Sequence, residues 1–208
     1  MRMEEILSLA PVMPVLTIDD VAQAVPLARA LAAGGLRAIE VTLRTPAALE
    51  AIAAIAREVP ESIPGVGTVL TATDLQAAAA AGAQFAVSPG ATPAMLRAAA
   101  SGVLPYLPAV ATASELMAAM ELGFSAFKFF PAASAGGTAM LSSFAGPFAG
   151  ARFCPTGGID AASAPAWLAL GNVLCVGGSW VTPKDALAAG DFGRIEALAR
   201  EAAALRKV

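Results

Sequence analysis

The sequence contains no histidine and only two cysteines among its 208 residues. Without histidine, the chain lacks the most common general base, the most common zinc ligand and every nucleophile that a histidine would activate. Cys154 and Cys175 each lie within an apolar run, where a reduced cysteine behaves as a small hydrophobic residue. We therefore expect free thiols, no metal site and no cofactor, so any chemistry must use other side chains.

The chain also lacks a basic stripe and a long apolar run. Its formal net charge is −3, with acidic and basic residues scattered along the sequence, so nothing is suited to neutralise a nucleic-acid backbone. Glycines, prolines and charges interrupt each apolar stretch before it reaches the ~20 residues of a membrane-spanning helix. Glu4 and Glu5 stand where a secretory signal would carry basic and apolar residues. These absences predict a cytoplasmic protein that binds neither nucleic acid nor membrane.

What the sequence does contain is a regular alternation of strands and helices. Short runs rich in Val, Ile, Leu and Phe alternate with alanine-rich helical segments, the pattern of βαβ units. Eight strand candidates, spaced 19 to 26 residues apart, centre near Val15, Glu40, Val66, Val87, Tyr106, Lys128, Phe153 and Cys175. A doubly wound open sheet would alternate similarly, but eight even units favour one α/β domain over residues 1–208, a (β/α)8 TIM barrel.

Polar residues interrupt two of these strands. In a barrel of this kind, functional side chains lie at the carboxyl ends of the strands. Period-two alternation puts Glu40, Thr42 and Arg44 on one face, which we expect to point into the barrel mouth. Lys128 interrupts the aromatic run FKFF and should therefore face the interior. The other two lysines, at positions 184 and 207, lie beside a proline and near the C-terminal end.

Lys128 has the features of a nucleophilic amine. Lysine is almost never fully buried without a reason. An amine must be neutral to attack a carbonyl. Apolar walls and a nearby Arg44 would both favour the neutral amine. Glu40 could then act as the base, and Arg44 could bind a substrate carboxylate. Structural alternatives stay open: Lys128 could snorkel to water, Glu40 could merely form an ion pair with Lys128 or Arg44, and Arg44 could be a surface charge.

Two glycine-containing loops follow the seventh and eighth predicted strands. They are Thr156-Gly157-Gly158 and Gly177-Gly178-Ser179. Loops at these two positions of a barrel frequently bind phosphate, because glycine lets backbone N–H groups approach the anion. Either loop alone could be a tight turn, but the matched pair indicates a phosphorylated substrate.

Two segments stand out as longer motifs, GLRAIEVTLR at 35–44 and FKFFP at 127–131. They resemble the signatures of the 2-keto-3-deoxy-6-phosphogluconate (KDPG) and 4-hydroxy-2-oxoglutarate (KHG) aldolases, and the likeness continues through 65–70, 88–90, 152–159 and 177–180. The resemblance implies a metal-independent class I aldolase, acting through a Schiff base, that releases pyruvate and glyceraldehyde 3-phosphate from KDPG in the Entner-Doudoroff pathway. It also implies a homotrimer and cleavage of 4-hydroxy-2-oxoglutarate to pyruvate and glyoxylate.

The resemblance assigns a role to each matching position. Lys128 would form the imine and Glu40 would move protons. The other positions would hold the substrate: Arg44 and Thr68 at its pyruvyl end, Pro89 and Phe130 along the pocket wall, and Thr156, Gly157, Gly158, Gly178 and Ser179 at its phosphate.

Three other functions are compatible with these residues. A related aldolase would act on the galactonate-derived epimer, although Arg44 argues against that branch of the family. A phosphosugar isomerase or epimerase would use Lys128 and Glu40 for proton transfer without a covalent intermediate. A barrel that only binds a phosphometabolite would show ligand-induced stabilisation without turnover.

Overall fold

The fold alternates short strands with helices along the whole described chain. It is known from a computed structural model that describes residues 1–205, so Lys207 lies outside the described residues. The strands are β1 Val12–Leu16, β2 Ala38–Thr42, β3 Ile63–Gly67, β4 Phe85–Val87, β5 Tyr106–Leu107, β6 Ala109–Val110, β7 Ala126–Phe129, β8 Arg152–Pro155 and β9 Val176–Gly178. The helices are α1 Met3–Leu7, α2 Ala24–Ala33, α3 Ala48–Glu58, α4 Ala72–Ala80, α5 Pro93–Ala100, α6 Ala113–Met120, α7 Gly137–Phe144, α8 Ala164–Leu168, α9 Lys184–Ala189 and α10 Phe192–Ala203, with a 3-10 turn at Val21–Gln23.

Threonine side chains fix the start of three consecutive helices. The hydroxyl oxygens of Thr71, Thr92 and Thr112 accept hydrogen bonds from backbone N–H groups in the first turns of α4, α5 and α6. Each bond satisfies one of the N–H groups that a helix leaves unpaired at its beginning. The loops before these helices are therefore short and well anchored, and they follow the strand ends where the functional side chains are expected.

All strand pairs are parallel, and they form two sheets. β5, β4, β3, β2, β1 and β9 make a six-stranded sheet in that order, and β6, β7 and β8 make a three-stranded sheet. The predicted fifth strand is divided at Pro108, which has no N–H to donate to a neighbour. Its first half pairs with β4 and its second half with β7. The parallel α/β architecture is confirmed, but with six- and three-stranded sheets in place of one continuous eight-stranded sheet.

The last strand begins later than the sequence predicts. β9 starts at Val176, just after the predicted centre Cys175, because the preceding residues pair with β8 first. Val173 forms an isolated bridge with Phe153, and the Leu174 N–H donates to the Phe153 carbonyl at 2.9 Å. A second isolated bridge joins Thr156 and Gly177. These contacts connect the free edge of the three-stranded sheet to the edge of the six-stranded one.

Two separate apolar clusters lie on the two faces of the strands. The larger cluster packs the outer face against the helices and contains Ile39, Val41, Phe127 and Phe129. The smaller one, the inner cluster, consists of Met3, Ile6, Leu7, Met13, Ala38, Ile63, Phe85, Val87, Leu107, Ala126, Cys154 and Cys175. Its first three members belong to α1, which therefore covers the beginnings of the strands. Within residues 1–205, no helix is long and apolar enough to cross a membrane.

Candidate active site

Glu40 and Lys128 meet on the inner face of the strands. The Lys128 Nζ donates hydrogen bonds to Glu40 Oε1 at 2.9 Å and to Oε2 at 3.2 Å, although 88 residues separate the two in sequence. The Glu40 side chain is 4% exposed and the Lys128 side chain 7%. The Lys128 side chain therefore does not extend to bulk water. The ion pair between Glu40 and Lys128, one of the alternatives from the sequence, is present. Arg44 takes no part in it.

This pair is chemically unusual in the molecule. Within residues 1–205, Glu40 and Lys128 are the only buried residues that carry a formal charge. Removing two charges from water costs several kcal/mol per ion, which their mutual attraction offsets only with good geometry. Apolar side chains of similar volume would often stabilise the same position as well or better. A buried amine next to a carboxylate therefore favours a catalytic role over a purely structural one.

Gly67 creates the space that Glu40 occupies. It lies at the end of β3, beside Thr42 in the strand register. A Cβ atom at position 67 would stand 2.3 Å from Glu40 Oε1 and 2.5 Å from its Cγ, which is far inside contact distance. Any larger residue would push the carboxylate away from its observed position. The sequence shows this glycine within a matching motif, but only the sheet register shows which side chain requires it.

The pocket-wall residues follow neighbouring strands. Arg44 lies just beyond β2, is exposed and has no hydrogen-bond or ion-pair partner in the described part of the chain. Thr68 follows β3 and has φ of 60°, a left-handed conformation that is uncommon for a β-branched residue. Pro89 follows β4 and is half-buried. Because parallel strands carry their carboxyl ends to one edge, these three residues share the edge toward which Glu40 and Lys128 lie.

Phe130 connects the lysine to the first glycine loop. Its ring centroid is 5.5 Å from Lys128 Nζ, and its ring would lie 3.4 Å from a Cβ placed on Gly157. The half-buried ring therefore forms a wall between the amine and the loop after β8. It also places an apolar surface beside the amine, as the sequence predicts.

The two glycine loops adjoin each other. Thr156 is buried, and its Oγ1 would lie 2.2 Å from a Cβ on Gly177, so the two loops fit only because position 177 is glycine. Gly157 and Gly158 have φ of 101° and 73°, values that favour glycine strongly. Their backbone N–H groups donate to no acceptor within residues 1–205. Gly178 packs under the Trp180 ring, and Ser179 is exposed.

Two polar pairs near these strand ends were not identified from the sequence. The Tyr106 hydroxyl donates to Ser88 Oγ at 2.6 Å, directly before Pro89. Thr17, immediately after β1, lies with its Oγ1 3.4 Å from Thr42 Oγ1. Threonine, serine and tyrosine carry no sequence signal of pairing when their partners are 18 or 25 residues away. Within the described chain, no cluster of three or more acidic, cysteine or histidine residues could hold a metal ion.

A parallel α/β fold with one buried lysine–glutamate pair near the carboxyl ends of its strands is typical of enzymes that act through an amine and a carboxylate. Comparison with known proteins gives a narrower assignment. A family model described as KDPG and KHG aldolase matches residues 3–198. The chain belongs to this aldolase family.

Individual relatives agree with this assignment over nearly the whole chain. The KHG/KDPG aldolase of Escherichia coli K12 is 55% identical over 199 residues, which cover 96% of this chain and 93% of that protein. The crystal structure of the 2-keto-3-deoxy-6-phosphogluconate aldolase of Zymomonas mobilis superposes with a TM-score of 0.95 at 49% identity, covering 100% of this chain and 99% of the other.

A third relative was captured during its reaction. The KDPG aldolase of Legionella pneumophila, with pyruvate held as a covalent carbinolamine intermediate, has a TM-score of 0.95 and 42% identity, over 97% of this chain and 98% of the other.

Proposed function

We propose that this chain is a class I aldolase that cleaves 2-keto-3-deoxy-6-phosphogluconate into pyruvate and glyceraldehyde 3-phosphate, and 4-hydroxy-2-oxoglutarate into pyruvate and glyoxylate. The observation that carries the proposal is the buried hydrogen bond of 2.9 Å between Lys128 Nζ and Glu40 Oε1. Membership of the family and the carbinolamine of the Legionella relative support the same chemistry. The reaction needs no metal, because the imine itself accepts the electrons.

The first half of the reaction forms the imine. Lys128 passes its extra proton to Glu40, and the neutral amine attacks the C2 carbonyl of the substrate to give a carbinolamine. Glu40 then returns the proton to the C2 hydroxyl, which leaves as water. The product is a protonated imine next to an ionised Glu40, with no net change in charge at the pair.

The second half breaks the carbon–carbon bond. Glu40, directly or through water, removes the proton of the C4 hydroxyl, the C3–C4 electron pair moves toward the imine to form an enamine, and the aldehyde departs. Glu40 then returns the proton to C3, and hydrolysis releases pyruvate and regenerates the lysine. A single carboxylate at hydrogen-bond distance from Nζ can serve these steps in succession.

The remaining residues would bind the two ends of the substrate. Arg44 is exposed and without a partner in residues 1–205, so its guanidinium can form paired hydrogen bonds with the pyruvyl carboxylate. Thr68 and Pro89 follow the two next strands and would complete this end. The unpaired N–H groups of Gly157 and Gly158 would hold the phosphate, together with Thr156, Gly178 and Ser179. Phe130 would line the path between the two ends.

We also propose that the strands close into a single eight-stranded barrel in one domain. β5 and β6 count as one strand interrupted at Pro108, and the bridges from Phe153 to Val173 and from Thr156 to Gly177 join the two sheets at their other edges. The inner cluster, separate from the outer one, supports an enclosed interior. A homotrimeric assembly and a cytoplasmic location stay predictions of the family resemblance and the sequence.

Borohydride trapping tests the function. Reduction in the presence of saturating pyruvate, followed by peptide mass mapping, should place one pyruvyl adduct on Lys128. Lys128→Arg should lose both the adduct and turnover of the two keto acids. Lys184→Arg is the matched control, because Lys184 is exposed at the start of α9, and it should retain both. An absence of adduct in the unaltered protein would contradict the proposal and favour proton transfer without a covalent intermediate.

A further inference from the structure

Thr17 presents a hydroxyl group next to the proposed active site. It follows β1 directly and is exposed, whereas Thr42 beside it is completely buried. Val15 pairs with Glu40 in the parallel register, so Thr17 and Thr42 lie two residues further along their strands on the same face as Glu40. The Thr17 side chain is therefore one layer closer to the strand ends than the carboxylate.

The position of β1 places Thr17 between the two halves of the site. On one side β1 pairs with β2, which carries Glu40, and on the other it pairs with β9, where Pro14 is opposite Gly178. The proposed phosphate loop thus begins on the strand next to Thr17. For a substrate bound as proposed, with C2 at the Lys128–Glu40 pair and its phosphate at this loop, the end of β1 flanks the middle carbons, because β1 lies between the strands that carry Glu40 and Gly178.

The hydrogen bonds give the Thr17 hydroxyl a definite polarity. Thr42 Oγ1 donates its only proton to the Leu16 carbonyl at 2.8 Å. In the contact of 3.4 Å between the two hydroxyls, Thr42 can therefore only accept, and Thr17 is the donor. The lone pairs of Thr17 Oγ1 stay available as acceptors. Such an acceptor suits a neutral hydroxyl group of a ligand, whereas phosphate oxygens offer no proton to it.

We propose that Thr17 is a specificity-determining residue, which accepts a hydrogen bond from the C5 hydroxyl of 2-keto-3-deoxy-6-phosphogluconate. The inference rests on the proposed function. In that substrate C2 is bound at Lys128, the C4 hydroxyl loses its proton during cleavage, and the phosphate is carried on C6. The C5 hydroxyl lies between them and has no part in bond breaking, so its recognition affects the choice of aldehyde and not the imine chemistry.

The test compares two aldehydes in the condensation direction with pyruvate. Glyceraldehyde 3-phosphate carries the hydroxyl in question on its C2, and 3-oxopropyl phosphate lacks it. Thr17→Val removes the hydroxyl with little change in size, and Thr17→Ser retains it as the matched control. We expect Thr17→Val to lower kcat/KM for glyceraldehyde 3-phosphate about fivefold to tenfold, mainly through KM, the effect of one hydrogen bond. The value for 3-oxopropyl phosphate should not change, and Thr17→Ser should behave as the unaltered protein.

The outcomes separate the two proposals. An equal loss with both aldehydes, or no loss with either, would overturn the role of Thr17 while leaving the aldolase intact. Borohydride trapping of pyruvate on Lys128 should be the same in all three proteins, which excludes a folding defect as the cause. If the unaltered protein neither traps pyruvate nor condenses it with any aldehyde, the proposed function itself fails, and the role of Thr17 with it.

Discussion

The inner face of the strands has two halves with opposite chemistry. Near the strand beginnings it is apolar: Ala38, Ile63 and Ala126, the first residues of β2, β3 and β7, belong to the inner cluster, and α1 contributes Leu7 as a cover. Near the strand ends it carries Glu40 and Lys128, the only buried charges in the described chain, together with the buried Thr42. Burial of apolar surface in the first half stabilises the fold. Desolvation of the ion pair in the second half opposes part of that stabilisation. The inner face of the strands therefore provides stability at one end and carries the candidate catalytic groups at the other.

The largest expected effect is the loss of the carboxylate from the polar half. Glu40→Gln keeps the size of the side chain but removes its ability to accept protons, so kcat for aldol cleavage should fall about 10²- to 10⁴-fold. Glu50→Gln, on the exposed side of α3, is the control and should leave kcat unaltered. Steady-state kinetics coupled to pyruvate detection measures both. A fall of less than about threefold would assign Glu40 a structural role, since proton transfer is worth far more.

A cavity in the apolar half should lower the stability of the protein and leave kcat nearly unchanged. Leu7 is 1% exposed in the inner cluster. Leu7→Ala should lower the free energy of unfolding by about 2–5 kcal/mol, because it removes buried methyl groups and leaves a void. We expect kcat to stay within about twofold, because the functional side chains of such folds lie at the opposite ends of the strands. Urea denaturation and kinetics on the same preparation check the two values. Leu9→Ala, at a position 40% exposed, should change stability by no more than about 0.5 kcal/mol.

Gly67→Ala should lower both kcat and the free energy of unfolding. The new Cβ would stand 2.3 Å from Glu40 Oε1, so the carboxylate must move. We expect kcat to fall about 10-fold to 100-fold, since displacements near 1 Å have effects of that size, and stability to fall by about 1–3 kcal/mol from overpacking. In Gly146→Ala the added methyl has open space and should change neither. If Gly67→Ala kept full activity, the position of Glu40 would not depend on the space at residue 67.

The smallest expected effect concerns Tyr106, the single tyrosine of the chain, whose hydroxyl donates to Ser88 just after β4. Burial raises the pKa of Tyr106, although the hydrogen bond with Ser88 opposes this rise. Because the folded pKa lies above the unfolded value of about 10, the neutral phenol stabilises the fold below pH ~10 and this contribution is lost as pH rises through the folded pKa.

Absorbance titration of tyrosinate in the native protein should therefore give a midpoint above about 10. Tyr106→Phe should cost about 1 kcal/mol at neutral pH through the lost hydrogen bond, and its stability should then decline less steeply than that of the unaltered protein at alkaline pH. A native midpoint at or below the ordinary tyrosine value would show that burial does not control this group.

The extent to which the sequence predicts this molecule differs between local and long-range features. The predicted strand centres at Val15, Glu40, Val66 and Lys128 all fall inside observed strands, because alternation of apolar and polar residues is a local signal. The division at Pro108 and the late start of β9 were not predicted. Both depend on which neighbouring strand supplies each hydrogen bond, and this information is not present in any one segment.

The same distinction holds for the site. The sequence by itself determined that chemistry must proceed without histidine, that Lys128 faces inward, and that glycines occupy the two loops. Only the tertiary structure decided that Lys128 donates to Glu40 at 2.9 Å, that Gly67 leaves room for the carboxylate, and that Thr17 contacts Thr42. The physical reason is range: side-chain alternation and helix capping act within a few residues, whereas distances across a sheet follow from strand register and from the packing of residues far apart in the chain.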